Sequence, residues 1–340
     1  MTPERPIEII GGGLAGLSLG LALRRAGIAV TVTEAGAYPR HRVCGEFITG
    51  LPASTRRRLA LDPLLADAAP NREVAWFARD RFVRLQRLPA IAPSLSRHAL
   101  DARLAAAFVA AGGMLQTGIR STATADAPGR IFATGRRRAR SAWLGLKIHA
   151  IDLPLTHDLE LHLGDGAYVG LARIEEGRVN ICGLFQRRPL SGKGPDLLVD
   201  YLENAKLGRL AARIRAAHLD DASFCAVAAV EFDRVVSSTP EVRIGDACAM
   251  IPPFTGHGMA MAFQSAEIAL DPVIAYARGE CDWATTRMSI QTALHRRFRR
   301  RLAWAGVLHG FLLQPLRQRW LAALNRAHLL PLRPLYAVLH

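Results

Sequence analysis

Ile7-Glu8-Ile9-Ile10-Gly11-Gly12-Gly13-Leu14-Ala15-Gly16-Leu17 decides the fold: a short apolar run breaks into glycines and restarts with helical periodicity. The pattern predicts a strand, a tight loop and a helix. Gly11, Gly13 and Gly16 stand at G-x-G-x-x-G spacing, which serves a sharp turn, close approach of a pyrophosphate, and packing of helix on strand. The helix start then offers unpaired N–H groups and the positive end of its dipole to an anion. Ile28-Ala29-Val30-Thr31-Val32-Thr33 reads as the next strand, ending at Glu34, where a carboxylate can accept the hydroxyls of a ribose. A dinucleotide site at the N-terminal end of an α/β fold follows.

Working outward, 340 residues that are 50% hydrophobic and 21% charged describe a folded protein with a large core. The formal net charge is +15, which in general attracts polyanions. Here lysine occurs only at Lys147, Lys193 and Lys206, so the charge is almost all arginine in a chain rich in alanine and leucine. That is a compositional bias, and nucleic acid is not an expected partner. Five cysteines (Cys44, Cys182, Cys225, Cys248, Cys281) form an odd set without a C-x-x-C pair, which speaks against a disulfide framework and a structural zinc site and for a cytoplasmic setting. Arg5 followed by the run Ile7 to Leu23 imitates a targeting segment, but Glu8 interrupts it and no small-residue cleavage site follows.

Beyond Glu34, the connection Tyr38-Pro39-Arg40-His41-Arg42-Val43-Cys44-Gly45-Glu46-Phe47 is polar and turn-rich. Leu95-Ser96-Arg97-His98-Ala99-Leu100-Asp101 opens a helix to about Ala111, stopped by Gly112-Gly113. Gly129 to Gly135 reads as a strand entering a glycine turn, and Arg136, Arg137, Arg138 and Arg140 follow it as either a phosphate contact or a solvated basic turn. Val242 to Ala262 reads as a strand delivering Asp246, a proline-rich loop, and glycines opening a second alanine-rich helix.

Together these segments resemble the flavoprotein superfamily of geranylgeranyl reductases, aromatic-ring hydroxylases of the p-hydroxybenzoate type and flavin-dependent halogenases. The resemblance rests on Gly11 to Glu34, on Arg42-Val43-Cys44-Gly45-Glu46-Phe47, and on Gly245-Asp246-Ala247 with Pro253-Phe254-Thr255-Gly256-His257-Gly258. It implies FAD as the held cofactor and NAD(P)H as transient electron donor. By the same resemblance Arg42 would contact the cofactor, Arg97, followed by an aspartate at its helix start, would either reach the flavin or close an ordinary helix-cap salt bridge, Asp246 would bind a ribityl hydroxyl, and Cys44-Gly45-Glu46 would lie on the isoalloxazine side, with Cys44 there or simply a small packing residue. The loop and helix after Gly258 would set backbone N–H groups near the flavin pyrimidine edge. The expected cofactor-binding residues are therefore Gly11, Gly13, Gly16, Glu34, Arg42, Arg97, Gly245, Asp246, Pro253, Gly256, Gly258 and Met259. Cys44, Glu46, Tyr168 and His257 are the candidates for a catalytic part, and no metal site is expected.

The implied fold is α/β: a Rossmann-like FAD/NAD(P)-binding domain from residues 1–73, 93–140 and 241–275, an inserted antiparallel β-sheet substrate domain from 74–92 and 141–240, and a C-terminal helical region, 276–340. Val74 to Leu88 alternates as a strand pair, and Leu159 to Phe185 holds three strands split by Gly164-Asp165-Gly166 and Glu175-Glu176-Gly177. Lys147, His149 and Tyr168 lie in or beside that sheet as candidate pocket residues. The stretch Thr117 to Pro128 is too short for the extra sheet that many members insert there. Near the C-terminus, Phe298, Leu302, Ala305, Leu308 and Leu312 share one helical face behind a run of arginines; the helix either packs on the FAD domain or rests on the inner face of an anionic membrane.

Three functions are open to such a chain. The first is an NAD(P)H-using FAD monooxygenase acting on an aromatic or polyketide-like hydrophobic small molecule. The second is a geranylgeranyl reductase-like flavoenzyme saturating carbon–carbon double bonds of an isoprenoid or lipid, favoured by Cys44-Gly45-Glu46 but lacking the Y-x-W-x-F-P signature. The third is an FAD-binding protein without turnover. The halogenase signature W-x-W-x-I-P is absent. Oligomeric state has no signature in the chain.

Overall fold

The computed structural model describes residues 5–122, 126–136, 142–228, 240–253 and 256–313, with side chains through His309. Its first unit is the expected strand, loop and helix. β1 (Ile7–Ile10) runs into α1 (Leu14–Arg25), and β2 (Val30–Thr33) returns parallel to β1 with Ile9 opposite Val32. Residues Leu14 to Leu23 of α1 are all buried, each leucine among them contributing roughly 1.5–3 kcal/mol of burial. Such a helix is possible in a soluble protein only when it is covered on all sides. Short α2 (Ala53–Arg58) follows, then a long hairpin, β3 (Ala69–Ala78) and β4 (Arg81–Ser94).

The chain next builds α3 (Arg97–Ala110), β5 (Met114–Gln116) and β6 (Arg130–Phe132). Gly20 of α1 meets the Phe108 ring of α3, and a methyl at Gly20 would come 3.0 Å from that ring, so glycine sets the approach of the two helices. Between β5 and β6 no strand occurs among the described residues. β7 (Trp143–Ala150), β8 (Leu159–Gly164), β9 (Ala167–Arg173) and β10 (Val179–Gln186) then form a meander, joined by β11 (Leu219–Ala228) after α4 (Pro195–Asn204) and α5 (Gly208–Ala216). The last elements are β12 (Val242–Arg243), α6 (Gly258–Ala277) and α7 (Trp283–Leu313).

Two sheets result. The first is parallel with strand order β12-β6-β1-β2-β5. The chain leaves β1 toward β2 on one side and later returns to β6 on the other, so the carboxyl end of β1, at Gly11, is the topological switch point where α/β sheets bind ligands. The second sheet has order β11-β7-β10-β9-β8-β3-β4. It departs from the fully antiparallel expectation at one place, because β3 and β8 pair in parallel, Val74 opposite Leu159. The cause is connectivity: the chain exits the sheet after β4, builds part of the first sheet, and re-enters at β7 running the same way as β4, so that β8, which turns back, runs with β3.

The second sheet is two-faced. Leu146, Ile148, Val169, Leu171 and Ile181 face α4 and α5 in one apolar core. Because side chains alternate and directly opposed residues share a face, Lys147 with Cys182 and His149 with Asn180 lie on the other face. That face meets the 41–47 connection of the first sheet. α6 packs along α1, and α7 runs from α6 to the second sheet, where the His309 ring meets Trp143 edge to face at 5.6 Å. Among the described residues no helix is long and apolar enough to cross a membrane.

Candidate active site

The glycine loop separates its three duties cleanly. Gly11 has φ +111°, and a methyl there would overlap the Ala133 carbonyl at the end of β6. A methyl at Gly16 would overlap the Gly11 carbonyl. These two glycines serve the chain. Gly13 serves something else: it is the N-cap of α1, has an ordinary φ of −85°, and a methyl on it would meet nothing within 4 Å. No side chain caps α1 and its first turn holds no acidic residue, so its leading N–H groups face that open space.

The far end of the chain closes the same space. Gly245 opens a short 3-10 turn after β12 with φ +61°, donates its N–H to Ser265 Oγ at 2.8 Å, and brings a would-be Cβ to 2.9 Å from Ala15. Asp246 therefore stands beside the first turn of α1. Its surface is exposed, yet protein encloses the carboxyl enough that burial raises its pKa against the attraction of Arg97 and Arg136. α6 starts there too, with His257 as N-cap, no side-chain cap, and open space beyond Gly258. Gly256 has φ +69°, bonds its N–H to Pro253 O at 3.0 Å, and a methyl on it would overlap the Phe47 ring. Met259 and His257 are buried in this first turn. Phe254 and Thr255 lie outside the described residues, as do Arg137, Arg138 and Arg140 of the basic run.

Glu34, at the end of β2, is buried and accepts from Gly12 N–H at 2.8 Å and Gly36 N–H at 3.0 Å, with Arg40 Nη2 2.7 Å away. The Tyr38 hydroxyl donates to the Gly12 carbonyl, and burial followed by the Glu34 charge raises its pKa. Arg42 lies between two carboxylates, with Nε 3.3 Å from Asp101 and Nη2 4.0 Å from Glu34. Arg97 forks onto Asp101 with two bonds of 2.8 Å. Burial pulls its pKa down, but Asp101 outweighs it and the net shift is upward. The arginine expected at the cofactor is thus held by a helix-internal pair one turn away, with its charge still acting on Asp246 and Cys44.

Glu46 anchors a second, fully buried cluster against the face of the second sheet. It has φ +58°, uncommon for a residue with a side chain, and its carboxylate is fully buried. His149 Nε2 donates to it at 2.7 Å, Arg97 N–H at 2.9 Å, and Lys147 Nζ lies 3.4 Å away. Burial alone would raise its pKa, but the His149 bond and the Lys147 charge hold it below the ordinary value. Lys147 is itself fully buried and reaches His41 Nδ1 at 3.2 Å. An ammonium only donates, so His41 accepts and stays neutral; desolvation and the Lys147 charge lower its pKa to about 4. His41 stacks on His98 at 4.4 Å. Asn180 Nδ2 donates to the Cys44 carbonyl at 3.0 Å, and Cys44 Sγ accepts from Glu46 N–H.

Of the four catalytic candidates, Cys44 and Glu46 thus share this cluster and His257 caps α6. Tyr168 is on the same sheet face but in a satellite apolar cluster with Leu161, Leu163 and Leu184. His41, His98 and Asn180 are not singled out by the sequence, and Asp101 stands out only as the aspartate that follows Arg97. The only signal for His41 is its place between Arg40 and Arg42; for Asp101 it is the i,i+4 spacing from Arg97.

The residues present fit a dinucleotide: an uncapped helix start, a glycine whose Cβ position opens on free space, and a carboxylate at the end of β2. No protein-family model and no curated protein matches the chain. Solved structures do. HpxO of Klebsiella pneumoniae, in complex with FAD and uric acid, superposes with a TM-score of 0.76 at 17% identity, over 98% of this chain and 96% of that one. PqsL of P. aeruginosa, in complex with 2-aminobenzoylacetate, gives 0.74 at 15%, over 94% and 98%. The p-nitrophenol 4-monooxygenase PnpA of Pseudomonas putida DLL-E4 gives 0.75 at 13%, over 100% and 97%. At these identities the likeness is one of fold, and the fold expected from the glycine loop and the Gly245-Asp246 return is the one these flavoprotein and monooxygenase structures share.

Proposed function

We propose that this chain is an FAD-dependent oxidoreductase, and specifically an NAD(P)H-using monooxygenase of a hydrophobic aromatic or polyketide-like small molecule. The observation that carries the reading is the convergence of two uncapped helix starts, at Gly13 and Gly258, on one cleft lined by Asp246. Residues 11–16 would seat the pyrophosphate, Glu34 the adenosine ribose, and Asp246 a ribityl hydroxyl. The start of α6 from Gly256 to Met259, with Pro253 before it, would face the pyrimidine edge and stabilise negative charge there. Arg42 and Arg97 would lie along the cofactor, and Cys44 to Glu46 beside its ring. FAD supplies, when bound, the passage of electrons from NAD(P)H to dioxygen. The chain's own residues orient the substrate and exclude water, with the buried network of Glu46, Lys147 and His149 backing the sheet side of the site.

The partner in this reading is a hydrophobic small molecule, with the basic C-terminal helix as the segment that would meet a membrane. The neighbours' complexes with uric acid and 2-aminobenzoylacetate support a planar, polar-edged substrate over a long isoprenoid chain. Asp246→Ala tests the cofactor placement: the purified variant should lose the visible flavin absorbance, and a fully yellow variant removes Asp246 from the site. Substrate-dependent oxygen uptake tests the reaction class, since a double-bond reductase turns over without oxygen.

A further inference from the structure

α7 has two faces with different tasks. Ile290, Leu294, Phe298, Leu302 and Ala305 are buried in the main core, and buried Arg301 donates to Gln264 Oε1 of α6 at 2.8 Å. That face docks the helix. Arg296, Arg300, Ala303 and Val307 recur at i, i+4, i+7 and i+11, all exposed, with Arg297 and Trp304 flanking on one side and Arg299 on the other. Trp304 is 47% and Val307 56% exposed. The outer stripe is therefore arginine over its first turns and apolar over its last, within about 16 Å of helix. Among the described residues no carboxylate pairs with Arg296, Arg297, Arg299 or Arg300. The sequence from Trp283 to His340 contains ten arginines and no aspartate or glutamate.

We infer that this outer stripe of α7 docks the protein on an anionic lipid surface. Guanidinium groups match lipid phosphates in charge and fork geometry, while Trp304 and Val307 match the boundary between headgroups and acyl chains, where indole concentrates. A nucleic acid would use the arginines but has no need of an exposed valine, so lipid is the better match to the whole stripe. The inner face of α7 touches both β12 and β9, so the helix that carries the stripe is anchored to both sheets. Docking would then hold the protein at the surface in which a hydrophobic substrate dissolves. This purpose rests on the proposed oxidoreductase reading; the docking itself does not.

The experiment is sedimentation of the full chain with vesicles of phosphatidylcholine mixed with phosphatidylglycerol, and with phosphatidylcholine alone. The mixed vesicles should carry the protein down and the neutral ones leave it in solution. Arg296→Gln with Arg300→Gln should weaken partitioning about thirty-fold, because an arginine near an anionic surface contributes about five-fold. Trp304→Ala should weaken it several-fold at unchanged charge. Thermal unfolding confirms that the variants fold, and flavin absorbance, read separately, reports the cofactor reading. Equal binding to neutral vesicles, unaltered binding by the variants, or binding to a short single-stranded RNA with none to either vesicle overturns the inference.

Discussion

The glycine wall and the charged wall formed by the Glu46 cluster are built by opposite means. The glycine wall is backbone: Gly11, Gly13 and Gly16 contribute the absence of side chains, and α1 and α6 contribute N–H groups. The charged wall is side chain: Glu46, Lys147, His149 and His41 are charged or titratable, largely buried, and supplied by segments about a hundred residues apart. A backbone site tolerates change wherever it faces the ligand and fails wherever it faces the chain. A buried charge network has no tolerant member, because each group is desolvated and held only by the others.

The largest effect should come from splitting that network. Glu46→Gln keeps the size and backbone conformation but leaves Lys147 buried beside a neutral amide, at a cost of about 3–5 kcal/mol. Adding Lys147→Met should recover most of the loss in urea unfolding. If the double variant is as unstable as the single one, the wall is held by packing and not by charge. Next in size, Gly16→Ala should cost about 1–3 kcal/mol, since the Gly11 carbonyl it meets is main chain and cannot swing aside. Gly13→Ala should cost less without FAD, about 0.5–1 kcal/mol for an alanine at a helix N-cap, yet bind FAD more weakly. Equal melting losses for the two alanines would erase the distinction between chain-facing and ligand-facing glycine.

The smallest effect is in pH. His41 has a pKa of about 4 in the folded chain, against an ordinary value near 6.5 in the unfolded one. Between those values the unfolded chain holds the extra proton, so this contribution to stability is complete above about pH 6.5 and declines as pH falls toward 4. His41→Asn offers Lys147 a carbonyl in place of the ring nitrogen and should flatten the decline in part. His309, whose pKa burial also lowers to about 4, adds to the decline.

The same contrast explains what could be read from the chain. The glycine wall was legible because its geometry is local: spacing within Gly11 to Gly16 dictates turn, approach and packing, and Glu34 follows at the end of the adjacent strand. Gly245-Asp246 was legible as a motif, but its position against Ala15 depends on a parallel edge strand of two residues. The charged wall was legible only in pieces. Lys147 and His149 sit on alternate positions of one strand, yet nothing local shows that Glu46 and His41 will cover them. That pairing depends on the register of β7 with β10 and on the left-handed turn at Glu46. Arg97 has two readings, a flavin contact by resemblance and a helix-cap salt bridge by its i,i+4 aspartate, and its fork is closed on Asp101. The parallel pairing of β3 with β8 could not be read either, since alternation predicts a strand but not its direction.

That one parallel pairing has a consequence for how the protein is made. β3 and β4 leave the ribosome early but find β8 only after β5 and β6 have passed, and β6 in turn waits for β12, which emerges more than a hundred residues later. The first sheet cannot be completed until every strand of the second has emerged, so the chain has no autonomous first half. Closing such distant strands is slow relative to local structure, and until it happens the apolar edges of β3 and β6 are uncovered. Nascent chains truncated before Val242 should therefore bind chaperones and stay protease-sensitive, and a split of the gene at any loop before β12 should yield halves that fold only when expressed together.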